Sequence, residues 1–172
     1  MAQGGGLQVF AGYRTSITPL ETYLAGSAGG GPTIGADARL LGEDLYFLIG
    51  GSYSIQGGEG EFFSTDIESG YSMTSARIGI GFRVFRISRK ISIRSKVAGS
   101  IHFINDIETA ENTSTGANYI PNDSFAGGLT GLGIDIGALT IDLDYEYGLI
   151  NAINKVPEST VDFITLTAGF KF

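Results

Sequence analysis

From Leu7 onwards the chain alternates between apolar residues and polar or small ones, and it does so in eight separate stretches. In the first, Leu7, Val9, Ala11, Tyr13, Thr15 and Ile17 share one face against Gln8, Phe10, Gly12, Arg14 and Ser16. The second, Thr33 to Leu41, sets Ile34, Ala36, Ala38 and Leu40 opposite Asp37 and Arg39. After "LGED", Leu45, Phe47, Ile49, Gly51, Tyr53 and Ile55 oppose Leu48, Gly50, Ser52, Ser54 and Gln56. The fourth places Thr74, Ala76, Ile78, Ile80, Phe82 and Val84 against Arg77, Gly79, Gly81 and Arg83. The fifth sets Ile91, Ile93, Ser95, Val97, Gly99, Ile101 and Phe103 against Ser92, Arg94, Lys96, Ala98, Ser100 and His102. A short sixth stretch opposes Leu132, Ile134 and Ile136 to Gly131, Gly133 and Asp135. The seventh is the clearest, with Leu139, Ile141, Leu143, Tyr145, Tyr147 and Leu149 against Thr140, Asp142, Asp144, Glu146 and Gly148. In the eighth, Ile164, Leu166, Ala168, Phe170 and Phe172 oppose Thr165, Thr167, Gly169 and Lys171. A period of two predicts strands, and the near absence of apolar spacing at three and four argues against helices, so the reading is all-β.

The connections predict how the strands are joined. They are long at 18–32, 57–71, 104–124 and 150–160, and tight at 42–44, at "FRISRK" and at Gly137 with Ala138. An antiparallel meander that alternates long and tight connections is the layout of an outer-membrane barrel, with long extracellular loops and short periplasmic turns. Eight strands also let the sheet close and leave no exposed edge.

Composition changes the question of which face points outward. Of 172 residues, 42% are hydrophobic and only 17% charged, a low charge for a surface in water. No apolar run approaches the roughly 20 residues of a spanning helix. With no cysteine, neither a disulfide scaffold nor a thiolate metal site is available. "MAQGGGLQ" has no basic, apolar leader, so residues 1–6 are expected to be a remnant left after removal of a signal peptide, and 7–172 a single barrel domain.

A soluble, lipocalin-like barrel would put the apolar face inside. Three features favour the opposite arrangement, a transmembrane barrel with a polar lumen filled by side chains. The polar face consists of small residues with sparse charges of both signs, so Arg14, Arg39, Arg77, Arg94 and Lys96 are expected to be neutralised by Asp37, Asp142, Asp144 and Glu146. The apolar face sorts its aromatics by height: Phe47, Phe82, Phe170 and Phe172 towards the tight turns, Tyr13, Tyr53, Phe103, Tyr145 and Tyr147 towards the long connections. Two such girdles mark the two interfaces of a bilayer. The strands, at about 9 to 11 residues, have the length of tilted membrane strands.

Around "LDYEYGLINAINK" and "VDFITLTAGFKF", with "TIGADARLL" and "YFLIGGSYSIQGG" as second and third strands, the chain resembles the PorT-like family of small outer-membrane β-barrels. The resemblance implies fold and a Gram-negative outer-membrane location and conveys no catalytic residue. It does not by itself establish a role in type IX secretion or gliding. Phe172, an aromatic closing the last strand, also resembles the carboxy-terminal signal read by the barrel assembly machinery; equally, it simply completes a hydrophobic face.

Candidate chemistry is sparse, and the chain carries no cofactor motif. The single histidine, His102, lies on the polar face, where a triad-like site with a serine and Asp142 or Glu146 competes with a place in the lumenal polar network. The arginines of "GIGFRVFRISRK" alternate into the lumen and then enter a turn, which argues against nucleic-acid binding. "GSAGGGP" lacks the lysine and strand-to-helix setting of a phosphate loop and reads as a loop. The long connections carry Glu21, Glu59, Glu61, Asp66, Glu68, Asp106, Glu108, Glu111, Asp123 and Glu158 against Lys155, whereas the tight-turn end carries Arg86, Arg89 and Lys90. Such an acidic crown would suit divalent cations bridging to lipopolysaccharide, or a basic protein partner, or would serve as a solvated surface. No EF-hand spacing supports a firm metal site. Ala11, Ala36 and Ala38 leave a region of small side chains on the apolar face, where another membrane protein would pack closely. The expected role is that of a non-enzymatic structural or interaction barrel, such as one subunit of an envelope or secretion complex, with a lipocalin-like or membrane barrel holding one small ligand as the alternative and an outer-membrane enzyme after it. An open diffusion pore does not fit an eight-stranded interior.

Overall fold

Each alternating stretch forms one strand: β1 Gly6–Ser16, β2 Gly30–Leu40, β3 Leu45–Gly57, β4 Gly70–Arg86, β5 Ile91–Ile107, β6 Ser124–Ile136, β7 Leu139–Gly148 and β8 Phe163–Lys171. The structure is a computed structural model and describes residues 6–17, 30–42, 44–57, 70–107, 124–150 and 160–172. Every strand pairs antiparallel with its neighbours in the chain, and β8 pairs with β1, so the sheet closes into a barrel. Following paired residues round the barrel from Gly6 leads through Arg39, Leu48, Gly79, Ala98, Leu129, Glu146 and Phe163 and returns to β1 at Ser16, ten residues further along. This stagger tilts the strands, and with eight of them it leaves an interior that side chains can fill.

The elements depart from the sequence reading in three places. β4 and β5 are each 17 residues long, well beyond the expected strand length. β6 starts at Ser124, where the long connection was expected to end, and takes in 125–130, where Phe125 and Leu129 point into the lumen and hide the alternation. Third, the last three residues of "GSAGGGP", Gly30 to Pro32, belong to β2, while 26–29 lie outside the described residues. The β2–β3 ladder carries no register pairs at Gly31 and Pro32 and resumes at Thr33, consistent with a proline that has no N–H to donate. β1 begins at Gly6, and residues 1–5 lie outside the described residues.

Local geometry also bends the alternation. The β4–β5 register shifts between Arg83 and Phe85, so Val84 and Phe85 are both exposed in succession above the turn. The β6–β7 turn has positive φ at Gly137 (65°) and not at Ala138, the pattern of a type II′ hairpin with glycine first.

The lumen is less purely small and charged than the sequence suggests. Two apolar clusters lie inside it: Met73, Phe125, Val161 and Phe163 towards the long-connection end, and Tyr46, Leu48, Ala98 and Leu129 lower down. Large inward side chains are accommodated by glycines opposite them. A Cβ at Gly50 would stand 1.9 Å from Asp37 Oδ1, at Gly131 2.1 Å from Asp144 Oδ1, and at Gly81 2.2 Å from the Tyr46 ring. Where strands themselves approach, the obstacle is backbone, which cannot swing aside: a Cβ at Gly79 would meet the Val97 carbonyl oxygen at 2.2 Å and Ala98 Cα at 2.5 Å. Gly99, on the outer face, has nothing within 4 Å of such a Cβ. Gly79→Val should therefore prevent barrel closure and abolish the fast-migrating unboiled band on a denaturing gel, whereas Gly99→Val should keep it.

Candidate functional site

The buried chemistry of the barrel is a charge network. Arg77 holds Asp37 through two parallel bonds, Nε to Oδ1 at 2.8 Å and Nη2 to Oδ2 at 2.7 Å, with Nη1 3.6 Å from Asp144 Oδ2. Arg94 grips Asp142 in the same way, both bonds at 2.6 Å, and its Nε donates to Asp135 Oδ1 at 2.8 Å. Lys96 bridges Asp144 at 2.8 Å and Asp142 at 3.3 Å. Arg39 donates to Asp135 at 3.0 Å and to Gln8, whose amide donates to Asp142 at 3.0 Å. Higher up, Arg14 pairs with Glu146 and donates to Ser75 Oγ at 3.2 Å. Bidentate guanidinium–carboxylate pairs are the strong, geometrically specific form of this interaction.

All nine charged residues named from the sequence face the lumen, but the acid that completes the balance was not among them. Asp135 joins Arg39, Arg94 and Lys171 at the tight-turn end. With it, Arg14, Arg39, Arg77, Arg94 and Lys96 face Asp37, Asp135, Asp142, Asp144 and Glu146, five charges of each sign. Gln8 was also missed; it ties Arg39 to Asp142, and only the barrel's closure brings β1, β2 and β7 within reach of one another. Its inward position in β1 was the one available signal. Three guanidinium groups lie over aromatic rings: Arg14 over Phe163, Arg39 over Tyr46 and Arg77 over Phe10, at 4.4, 5.5 and 4.9 Å from the centroids.

His102 stands in a line of three groups. Its Nδ1 shares a hydrogen bond with Ser75 Oγ at 2.7 Å and its Nε2 one with Glu146, which also accepts from Ser100. The residue types are those of a catalytic triad, but the surroundings are not those of a cleft. His102 is 0% exposed, and its ring stacks on Phe125, 4.7 Å between centroids, beneath the apolar cluster that includes Phe163 and Met73. The adjoining cavity, of about 20 Å³, has room for roughly one water and no substrate.

The outside of the barrel is apolar. Leu7, Ile34, Ile49, Ile78, Val97, Leu132, Leu143 and Leu166 are all exposed. So are the aromatics expected to form girdles: Phe47, Phe82, Phe170 and Phe172 towards the tight turns, Tyr13, Tyr53, Phe103, Tyr145 and Tyr147 towards the other end. The Tyr145 hydroxyl donates to Asp162 at 2.9 Å, and the Phe172 N–H donates to the Leu7 carbonyl, seating the last residue beside β1. The acidic residues of the long connections lie outside the described residues, except Asp106, whose backbone belongs to β5.

Fold and lumen together define a small, closed, eight-stranded antiparallel β-barrel with charges inside and apolar side chains outside. The fold is similar to that of Neisserial surface protein A (NspA), with a TM-score of 0.61 at 18% sequence identity over 98% of this chain and 96% of that one. Two structures of Ail, the attachment invasion locus protein of Yersinia pestis, are also similar: one in complex with the heparin analogue sucrose octasulfate (TM-score 0.48, 15% identity, covering 99% of this chain and 100% of that one), one in a phospholipid bilayer nanodisc (0.47, 17%, 98% and 99%). No family model and no curated protein matches the chain.

Removing one member of the network leaves its partners charged and buried. Asp142→Ala leaves Arg94 with Asp135 alone, Lys96 with Asp144 alone and the Gln8 amide without its acceptor, and should lower the unfolding free energy by about 3–5 kcal/mol. Urea titration of the detergent-folded barrel measures this, and an unchanged midpoint would show that the pairs contribute nothing.

Proposed function

We propose that the protein is an integral outer-membrane β-barrel of a Gram-negative bacterium with a non-enzymatic structural or interaction role. The observation that carries the reading is the inverted polarity. In water, an exterior built from these exposed aliphatics and aromatics would be a very large apolar patch, far beyond what a soluble monomer tolerates. In a bilayer the same belt is solvated by lipid, and the closed ladder leaves no backbone edge unpaired. Aromatics at both heights then sit at the two interfaces.

The lumen narrows the role. Ion pairs and two apolar clusters fill it, which supports neither a diffusion channel nor a barrel holding one small ligand at its centre. The sealed Ser75–His102–Glu146 line supports a packing role for His102. Work is thus left to the surfaces: lipid and lipopolysaccharide around the belt, the barrel assembly machinery met through Phe172 just after β8, and a protein partner in a larger envelope complex. The "LDYEYGLINAINK" and "VDFITLTAGFKF" segments support a PorT-like affiliation within this class.

Two measurements test the proposal. Expressed with a leader in a Gram-negative host, the protein should appear in the outer-membrane fraction and migrate differently before and after boiling. In phospholipid vesicles, Leu132→Arg should destabilise the folded barrel by about 2–4 kcal/mol, the cost of a cation facing lipid near mid-bilayer. Recovery as a soluble protein indifferent to Leu132→Arg would overturn the membrane assignment.

A further inference from the structure

At the tight-turn end the barrel opens into a cavity of about 380 Å³, within the size range of small-molecule sites. Its walls are cationic. Arg39, Arg83, Arg86, Arg94 and Lys171 line it from the strands, and Arg89 and Lys90 from the β4–β5 turn. One carboxylate, Asp135, lies in the same wall and is shared among Arg39, Arg94 and Lys171. Asp44 pairs with Arg83 at 2.6 Å. Arg94 is also held by Asp142, and Arg39, Arg94 and Asp135 belong to the balanced lumenal set; beyond them, among the described residues, the mouth adds five cations, Arg83, Arg86, Arg89, Lys90 and Lys171, against Asp44. This excess contrasts with the five-to-five balance of the lumen above, and a concave surface lined by one sign of charge concentrates counter-ions.

A second observation points the same way. Arg39 and Tyr46, 5% and 3% exposed, are both in the lining, and Arg39 Nε and the Tyr46 hydroxyl have no hydrogen-bond partner among the described residues. Buried donors of this kind are ordinarily satisfied. Around the rim, Leu41, Phe85, Ile87 and Phe172 are exposed on the outside, so the mouth lies level with the end of the apolar belt.

We propose that this mouth binds a phosphate-bearing anion. Guanidinium forks match phosphate oxygens in pairs, and the turn places the exposed cations Arg89 and Lys90 at the lip. The phosphate comes either from an anionic phospholipid headgroup beside the rim or from a soluble phosphate compound on the same side. The site itself does not depend on the membrane assignment; the lipid source does.

Two probes separate the sources, each applied to the full chain folded in zwitterionic detergent and to its Arg89→Gln/Lys90→Gln variant. Both substitutions are on an exposed turn, and the shift in gel mobility on boiling checks that the variant folds. Pyrophosphate titration should move the amide resonances of Ser88 to Ile91 and Gly137 saturably, with affinity falling about tenfold or more in the variant, which identifies soluble phosphate as a ligand. Native mass spectrometry from micelles doped with phosphatidylglycerol and phosphatidylcholine should show the former retained preferentially and lost in the variant, which identifies the lipid. Absence of both effects, or binding that the variant leaves unchanged, overturns the proposal.

Discussion

Ten charged side chains share an interior from which water is largely excluded, and each is tolerable only in contact with its opposite. Desolvating an unpaired ion costs several kcal/mol, comparable with the net stability of a whole domain, so the pairing decides which structures are allowed. Arg94 and Asp142 meet over Gly133 of β6, and Arg77 and Asp37 over Gly50 of β3, each pair two strands apart in one register. A slip of one residue in any ladder would turn those charges outward and the aliphatics inward. Glycines at 50, 131 and 133 are part of the same solution, since each leaves the volume that a carboxylate or guanidinium occupies.

The same alternation that fills the inside with charge clothes the outside with Leu, Ile, Val and aromatic side chains, and the two consequences cannot be separated. Polarity along the axis is a different matter. Towards the long connections the lumen ends in the packed cluster of Met73, Phe125, Val161 and Phe163. At the tight turns it ends in an open basic mouth. Among the described residues the lumen is packed at one end, filled by ion pairs in the middle and open at the other.

His102 illustrates how residue identity and role come apart. A serine, a histidine and a carboxylate in hydrogen-bond contact are the parts of a hydrolase, yet here the histidine is stacked on Phe125 with no space for a substrate. Burial decides between the two readings, and burial depends on which side chains from β4, β6 and β8 close over the ring.

Strand number, the direction of each side chain and the closed meander were legible in the sequence, because a period of two and the alternation of long with tight connections are local properties. The long connections' acidic residues, equally visible there, lie outside the described residues. The lower half of the network was less legible: Asp135 stands on the inward face of β6, but its salt bridges to Arg39 and Lys171 arise only when β2, β6 and β8 are brought round one axis. The first part of β6 was hidden because Phe125 and Leu129 are apolar on the inward face, where alternation anticipates a polar or small residue. What the sequence determined by itself was therefore the two-faced strand and its repetition, both consequences of neighbouring residues. Tertiary structure decided which charge meets which, what seals His102 and where the cations gather at one mouth, because those depend on the ten-residue stagger with which the sheet closes on itself.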